Sequence, residues 1–193
     1  MSTLSRSQQR DQTRLRLLDA TVACLVEHGY AGTTTQRIQD RARVSRGALL
    51  HHFGAKADLF VAAIQHIAER QLDRLRVVAA AVEPGPRAVR DLVDALHAVM
   101  SGPLFLAGLE LWMAARTDES LRRALLPAER RLGSALREVF AEAVPDDREQ
   151  ARLAYESLLM LLRGLALTSV LRERDRLATD LLDLWAERVL PGS

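Results

Sequence analysis

Between Thr34 and Lys56 the sequence sets out hydroxyl, arginine, glycine and histidine residues at intervals that suit contact with a polyanion. Ser45 stands just before Arg46-Gly47-Ala48-Leu49, and Thr34 just before Thr35-Gln36-Arg37-Ile38. A hydroxyl side chain in that place accepts a hydrogen bond from a free backbone N–H and starts a helix. Two short helices are therefore expected, at about 35 to 42 and 46 to 52, joined by a tight turn. The second carries Arg46, His51 and His52, while Ile38, Val44, Leu49 and Phe53 supply apolar contacts toward a preceding helix. A helical hairpin that reads DNA requires this arrangement, with its second helix in the major groove.

Other chemistries find less support. The five histidines, His28, His51, His52, His66 and His97, show no metal-ligand spacing such as His-Glu-x-x-His, so neither a metal nor a cofactor is expected. No Ser/His/Asp set, glycine-rich phosphate loop or paired carboxylates stand out, and an enzyme is not expected. Cys24, the single cysteine, excludes an intrachain disulfide and a cysteine-based zinc cluster; its apolar helical neighbours suit a small buried residue.

The elements that must position the hairpin read as helix almost throughout. Leu15, Leu18, Val22, Leu25 and Val26 recur at helical spacing before Gly29, a residue suited to stopping a helix. A long helix is expected from about Lys56 to Ala81, then others at about 87 to 101, 103 to 116, 118 to 143, 147 to 172 and 176 to 189. Pro84-Gly85-Pro86, Ser101-Gly102-Pro103, Thr117-Asp118 and Pro145-Asp146-Asp147 punctuate them, and Pro127 is expected to kink or interrupt its helix. The fold class is all-α with about nine helices: a three-helix module over 1–55 packed on a larger body over 56–193. With 48% hydrophobic residues, a sizeable core is available. Apolar runs such as Leu158 to Leu162 are far too short to span a bilayer, and the polar start lacks the apolar stretch of a signal peptide. A cytoplasmic protein without a membrane partner is expected. The net charge is +2, but residues 1 to 60 hold nine Lys and Arg against five Asp and Glu, so the basic excess falls on the hairpin third.

The run Gly29-Tyr30, Thr33-Thr34, Ile38, Val44-Ser45, Gly47, His52-Phe53 and Lys56 resembles the TetR (tetracycline-repressor-like) family of transcriptional regulators. Leu109-Glu110-Leu111-Trp112-Met113-Ala114-Ala115-Arg116 also looks like a feature of that family's sixth helix. The resemblance implies roles at the matching positions. Thr34 and Ser45 would cap helices and touch phosphates, and Arg46 and Gly47 would lead the recognition helix. His51 would face the groove, His52 a phosphate, and Lys56 would add charge where the fourth helix starts. Arg37 would reach backbone or base. Three residues depart from the pattern: Gln39 for a small alanine, Arg43 for a turn glycine and Leu50 for a tyrosine.

The resemblance further implies a repressor that acts as a homodimer on a near-palindromic double-stranded DNA operator and responds to a small apolar or amphipathic effector. Its pocket is expected among Met100, Phe105, Trp112, Met113, Phe140, Tyr155 and Met160, with His97 and Glu110 as polar handles; residue by residue, core packing is the simpler reading. The dimer is expected on the last two helices, through Leu158, Leu161, Leu162, Gly164 and Leu165, then Leu177, Leu181, Leu184, Trp185 and Val189. The alternative is a helical dimer that binds a ligand or partner protein without DNA, which Gln39, Arg43 and Leu50 favour.

Overall fold

The computed structural model describes residues 5–81, 86–143, 148–171 and 175–189. Within them the chain forms α1 (Arg6–Gly32), α2 (Thr35–Ala42), α3 (Arg46–His52), α4 (Lys56–Ala81), α5 (Pro86–Met100), α6 (Pro103–Ala115), α7 (Glu119–Ala143), α8 (Arg148–Ser169) and α9 (Asp175–Val189), with no strand among the described residues. Pro84, Gly85, Pro145, Asp146, Asp147 and the expected helix end at Arg172 lie outside the described residues.

Packing divides the chain into two compact units. One gathers Met1–Ala68 with Ala107–Glu129; the other gathers Glu69–Leu106 with Arg130–Ser193. Residues of α4, α6 and α7 thus fall in both units, and residue 55 lies inside the first.

The core of the first unit is built on α1. Ser5 accepts from the Gln8 N–H while the Gln8 side chain accepts from the Ser5 N–H, closing the helix start. The buried face is Leu17, Leu18, Thr21, Cys24 and Leu25. That face lies about a quarter turn from the expected one, and Leu15 and Val26 are exposed. Thr21 hid the true periodicity: it sits at the centre of the buried face, where its hydroxyl donates to the Leu17 carbonyl at 2.7 Å. Ile38, Leu49, Phe53, Leu59, Phe60, Leu111 and Leu121 complete this core. Each fully buried leucine contributes about 1.5–3 kcal/mol.

The core of the second unit joins Leu92, Val93 and Leu96 of α5, Val139 and Phe140 of α7, Tyr155, Leu158 and Leu162 of α8, and Leu182 and Trp185 of α9. Phe140 meets Tyr155 and Trp185 at ring-centroid distances of 5.7 and 6.4 Å. Pro127 does not interrupt α7, which runs on from Glu119 to Ala143. The proline side chain is exposed, and Leu121 and Leu125 on the turns before it are buried, so packing holds the helix where one backbone bond is missing.

Near its end α1 breaks. Gly29 has φ 65° and ψ −178°, a backbone conformation that is nearly glycine's alone. The Gly29 carbonyl accepts from both the N–H and the hydroxyl of buried Thr33, at 3.2 and 2.7 Å. A Cβ added at Gly29 would lie 2.7 Å from Glu110 Oε2. Gly29→Ala is therefore expected to lower the free energy of unfolding by about 1–3 kcal/mol from backbone strain, with the clash added. Urea unfolding checks this, and a Gly29→Ala protein as stable as the parent would refute the account of the break.

Candidate nucleic-acid interface

Both helices of the hairpin start on hydroxyl caps. Thr34 Oγ1 accepts from the Arg37 N–H at 3.2 Å, and Ser45 Oγ from the Ala48 N–H at 3.3 Å. Between them Arg43 takes the left-handed turn at φ 53°, ψ 49°, the sole positive φ outside glycine among the described residues. Its N–H donates to the Asp40 carbonyl, and the Val44 N–H to the Gln39 carbonyl at 3.1 Å. The arginine thus accepts the conformation that a glycine would take, at a cost of about 1–2 kcal/mol. Gln39 is half-buried and Leu50 is exposed, and the turn forms with both in place.

Two clamps fix the hairpin on α1. Ile38, Leu49 and Phe53 are buried against its apolar face. Arg41 grips Glu27 with two bonds of 2.6 Å, which holds the Glu27 carboxyl below the usual range; nothing in the sequence singled out this pair. Arg37 donates to the Gly32 carbonyl, so part of its guanidinium, expected on DNA, is engaged within the chain.

The outward face carries Ser45, Arg46, Gly47 and His51, all exposed. A Cβ built on Gly47 would touch nothing within 4 Å, so the fold itself does not require glycine there. His51 and His52 stand edge to face at 5.7 Å. Burial foremost, then His51, Arg10 and Arg14, holds the His52 pKa below the ordinary imidazole value, against the opposing Asp11. Lys56 Nζ lies 5.4 Å from the Tyr30 ring and 4.9 Å from that of Phe60, and loss of water lowers its pKa.

Tyr30 is held at both ends. Its N–H, freed by the break at Gly29, donates to Glu110 Oε2 at 2.7 Å. Burial foremost and then the negative charge of the Asp118 carboxylate raise the Tyr30 pKa. Asp118 also accepts from the Leu121 N–H at 3.0 Å and so caps α7. Glu110, expected as a polar handle of a pocket, is the acceptor that closes the α1 break; Thr33 was named only within the family pattern and Asp118 only as a helix break, neither in this role. An acidic residue on α6 and a glycine before Tyr30 were visible, but their meeting required the fold.

The remaining expected pocket residues divide between the two units. Met100, Phe140 and Tyr155 are core of the second unit, with Phe105 packed against it and His97 half-buried on α5. Trp112 packs against the core of the first unit. Met113 and Met160 are 66% and 62% exposed. An open groove of about 660 Å³ is lined by Arg137, Glu138, Ala141, Glu142, Ala151, Arg152 and Tyr155, of which only Tyr155 was expected.

The expected dimer residues also divide. Leu158, Leu162 and Trp185 are core of their own chain, because the Trp185 Nε1–H donates to Ser157 at 2.9 Å and brings α9 onto α8. They therefore cannot be a free interface. Leu161, Leu165, Leu181 and Val189 are half-buried, while Gly164, Leu177 and Leu184 are exposed.

An all-helical chain whose two capped helices present exposed arginine, glycine and histidine beyond a left-handed turn defines the helix-turn-helix class of DNA-binding regulators. The chain belongs to the tetR family of bacterial regulatory proteins: residues 17–63 match that family, and residues 104–191 match the BetI-type transcriptional repressor, C-terminal. It is 34% identical over 187 residues to the HTH-type transcriptional regulator BetI of Paraburkholderia phymatum, covering 91% of this chain and 93% of that one. A TetR transcription regulator of Haloarcula marismortui has a similar structure, with a TM-score of 0.72 and 26% identity over 92% of this chain and 97% of that one. A TetR-family regulator of Mesorhizobium loti shares the fold at a TM-score of 0.75 and 20% identity, covering 97% and 98% of the two chains.

Since the turn forms with arginine in the left-handed region, Arg43→Gly is expected to raise stability by about 0.5–1 kcal/mol, the strain relieved less the chain entropy glycine costs. Chemical unfolding measures it; a less stable variant would mean that the Arg43 side chain holds the hairpin by contacts that outweigh its backbone strain.

Proposed function

We propose that the protein is a ligand-responsive repressor that binds a near-palindromic operator as a homodimer. The exposed start of α3 carries the proposal. Glycine in a helix costs about 0.5–1 kcal/mol against alanine, and Gly47 has no neighbour in the chain that demands it. A close approach by a surface outside the chain accounts for it, and the N-terminus of α3 with Ser45 suits a phosphate. Thr34, Ser45, His52 and Lys56 are assigned to the backbone, and Arg46 and His51 to the groove, with Arg37 an adjunct. Residues 1–55 are the reading module and 56–193 the effector-binding and dimerising body.

The dimer face is assigned to the exposed side of α8 and α9. Leu153, Met160, Gly164 and Leu167 of α8 recur at steps of seven, four and three residues, and all are exposed, as are Leu171 just beyond α8 and Leu177 and Leu184 of α9. Two protomers would dock half-sites about 34–36 Å apart or at multiples of that. A small amphipathic effector that prefers another disposition of α4 would release DNA by population shift.

The test compares Lys56→Ala with His51→Ala on a duplex selected from a random pool and on unselected duplexes. Lys56→Ala should weaken both alike and reduce the salt slope by about one unit. His51→Ala should relax preference at one or two positions by about 1–3 kcal/mol each. Equal loss for every sequence with His51→Ala would make it a backbone anchor.

For assembly, Met160→Arg is the informative change because Met160 is 62% exposed in the chain. Sedimentation should show monomers that keep the parent's helical signal and lose affinity for the selected duplex. A variant that stays dimeric would move the interface away from α8.

A further inference from the structure

The first three turns of α1 carry a basic line that the hairpin does not explain. Arg6, Arg10 and Arg14 follow one another at four-residue spacing and are all exposed. At about 100° per residue they fall at about 0°, 40° and 80° around the helix, the arc in which buried Leu17, at about 20°, and Thr21, at about 60°, lie further along. The arginines therefore occupy the same side of α1 that becomes the core face, at a level where they stay exposed. Among the described residues no carboxylate forms an ion pair with any of the three. Asp11 on the same helix opposes them at their neighbour His52.

The line also joins the recognition helix. The Arg14 guanidinium carbon lies 5.6 Å from the centroid of Phe53, the residue that ends α3. Arg10 and Arg14 are close enough to His52 to disfavour its protonation. Three like charges in one row repel one another, and that repulsion is relieved when a polyanion lies along them. A helix that reads DNA sits beside such a polyanion.

We infer that Arg6, Arg10 and Arg14 form a phosphate-binding track on α1 that extends the DNA contact beyond the helix-turn-helix, gripping backbone phosphates beside the segment α3 enters. The inference rests on the reading of α3 as the DNA-contacting helix. The track is independent of sequence, since guanidinium groups on phosphates carry no base information. Arg14 is its fixed end, held on Phe53, and Arg6 and Arg10 supply the charge beyond.

The experiment uses the full chain, a duplex selected from a random-sequence pool by the parent protein, and an unselected duplex. Binding of Arg6→Gln/Arg10→Gln is titrated against salt, beside Arg6→Lys/Arg10→Lys and Lys56→Ala. The glutamine pair is expected to reduce the salt slope by about two units per bound chain. It should weaken both duplexes by the same factor, and leave the thermal midpoint unchanged because both side chains are exposed. The lysine pair should keep the parent's slope. Ethylation interference should show phosphates that matter to the parent and not to the glutamine pair. An unchanged slope in the glutamine pair, with Lys56→Ala reduced as expected, would overturn the track and leave the hairpin reading intact. A loss confined to particular base positions would also overturn it. A parent protein that selects no duplex would sink the track together with the hairpin reading.

Discussion

The contact on which the reading module depends is a carboxylate on a broken helix. A continuous α1 would have carried Tyr30 around with its own turn. Because Gly29 leaves helical geometry, the Tyr30 N–H is free, and Glu110 takes it at 2.7 Å. The tyrosine is thereby aimed so that its ring meets Phe60 edge to face at 5.5 Å and lies under Lys56. An acid on α6 thus sets where the first residue of α4 places its charge. The bond is solvent-exposed, so its net worth is about 0.5–1.5 kcal/mol, and the break supplies the donor that the acid accepts.

The hairpin was legible because its signals are local. Thr34 and Ser45 mark helix starts by side-chain chemistry alone, and both cap as expected. The helix spans follow from such punctuation and from apolar spacing, which is why the extents of α2, α3 and α4 agree closely with the sequence reading. Arg43 was legible as a problem: a side chain at the turn where a glycine belongs. Its φ of 53° shows that strain was accepted and the turn kept.

Where the sequence was less informative, the cause is that burial is a property of partners. Leucines along α8 look alike in the sequence, yet Leu158 and Leu162 serve the chain's own core while Leu153 and Leu167 face outward. Trp185 separates the two sets, since its indole N–H on Ser157 decides which side of α9 turns inward. Large apolar residues on several helices fit a pocket or a core equally well. Glu110 and Trp112 belong to the packing of the first unit, and Phe140 and Tyr155 to that of the second. On α1 a threonine at the centre of the buried face displaced the expected apolar stripe.

Lys56 is the single lysine among twenty-seven basic residues. Its ammonium, set over two aromatic rings and partly stripped of water, gives up a proton more readily than an ordinary lysine. A neutral amine is the form that attacks acyl donors, and arginine does not share that reactivity at ordinary pH. Among side chains, then, amine chemistry has one address on this molecule. Acylation there would remove one charge and two cation–π contacts at the start of α4, and leave every arginine untouched.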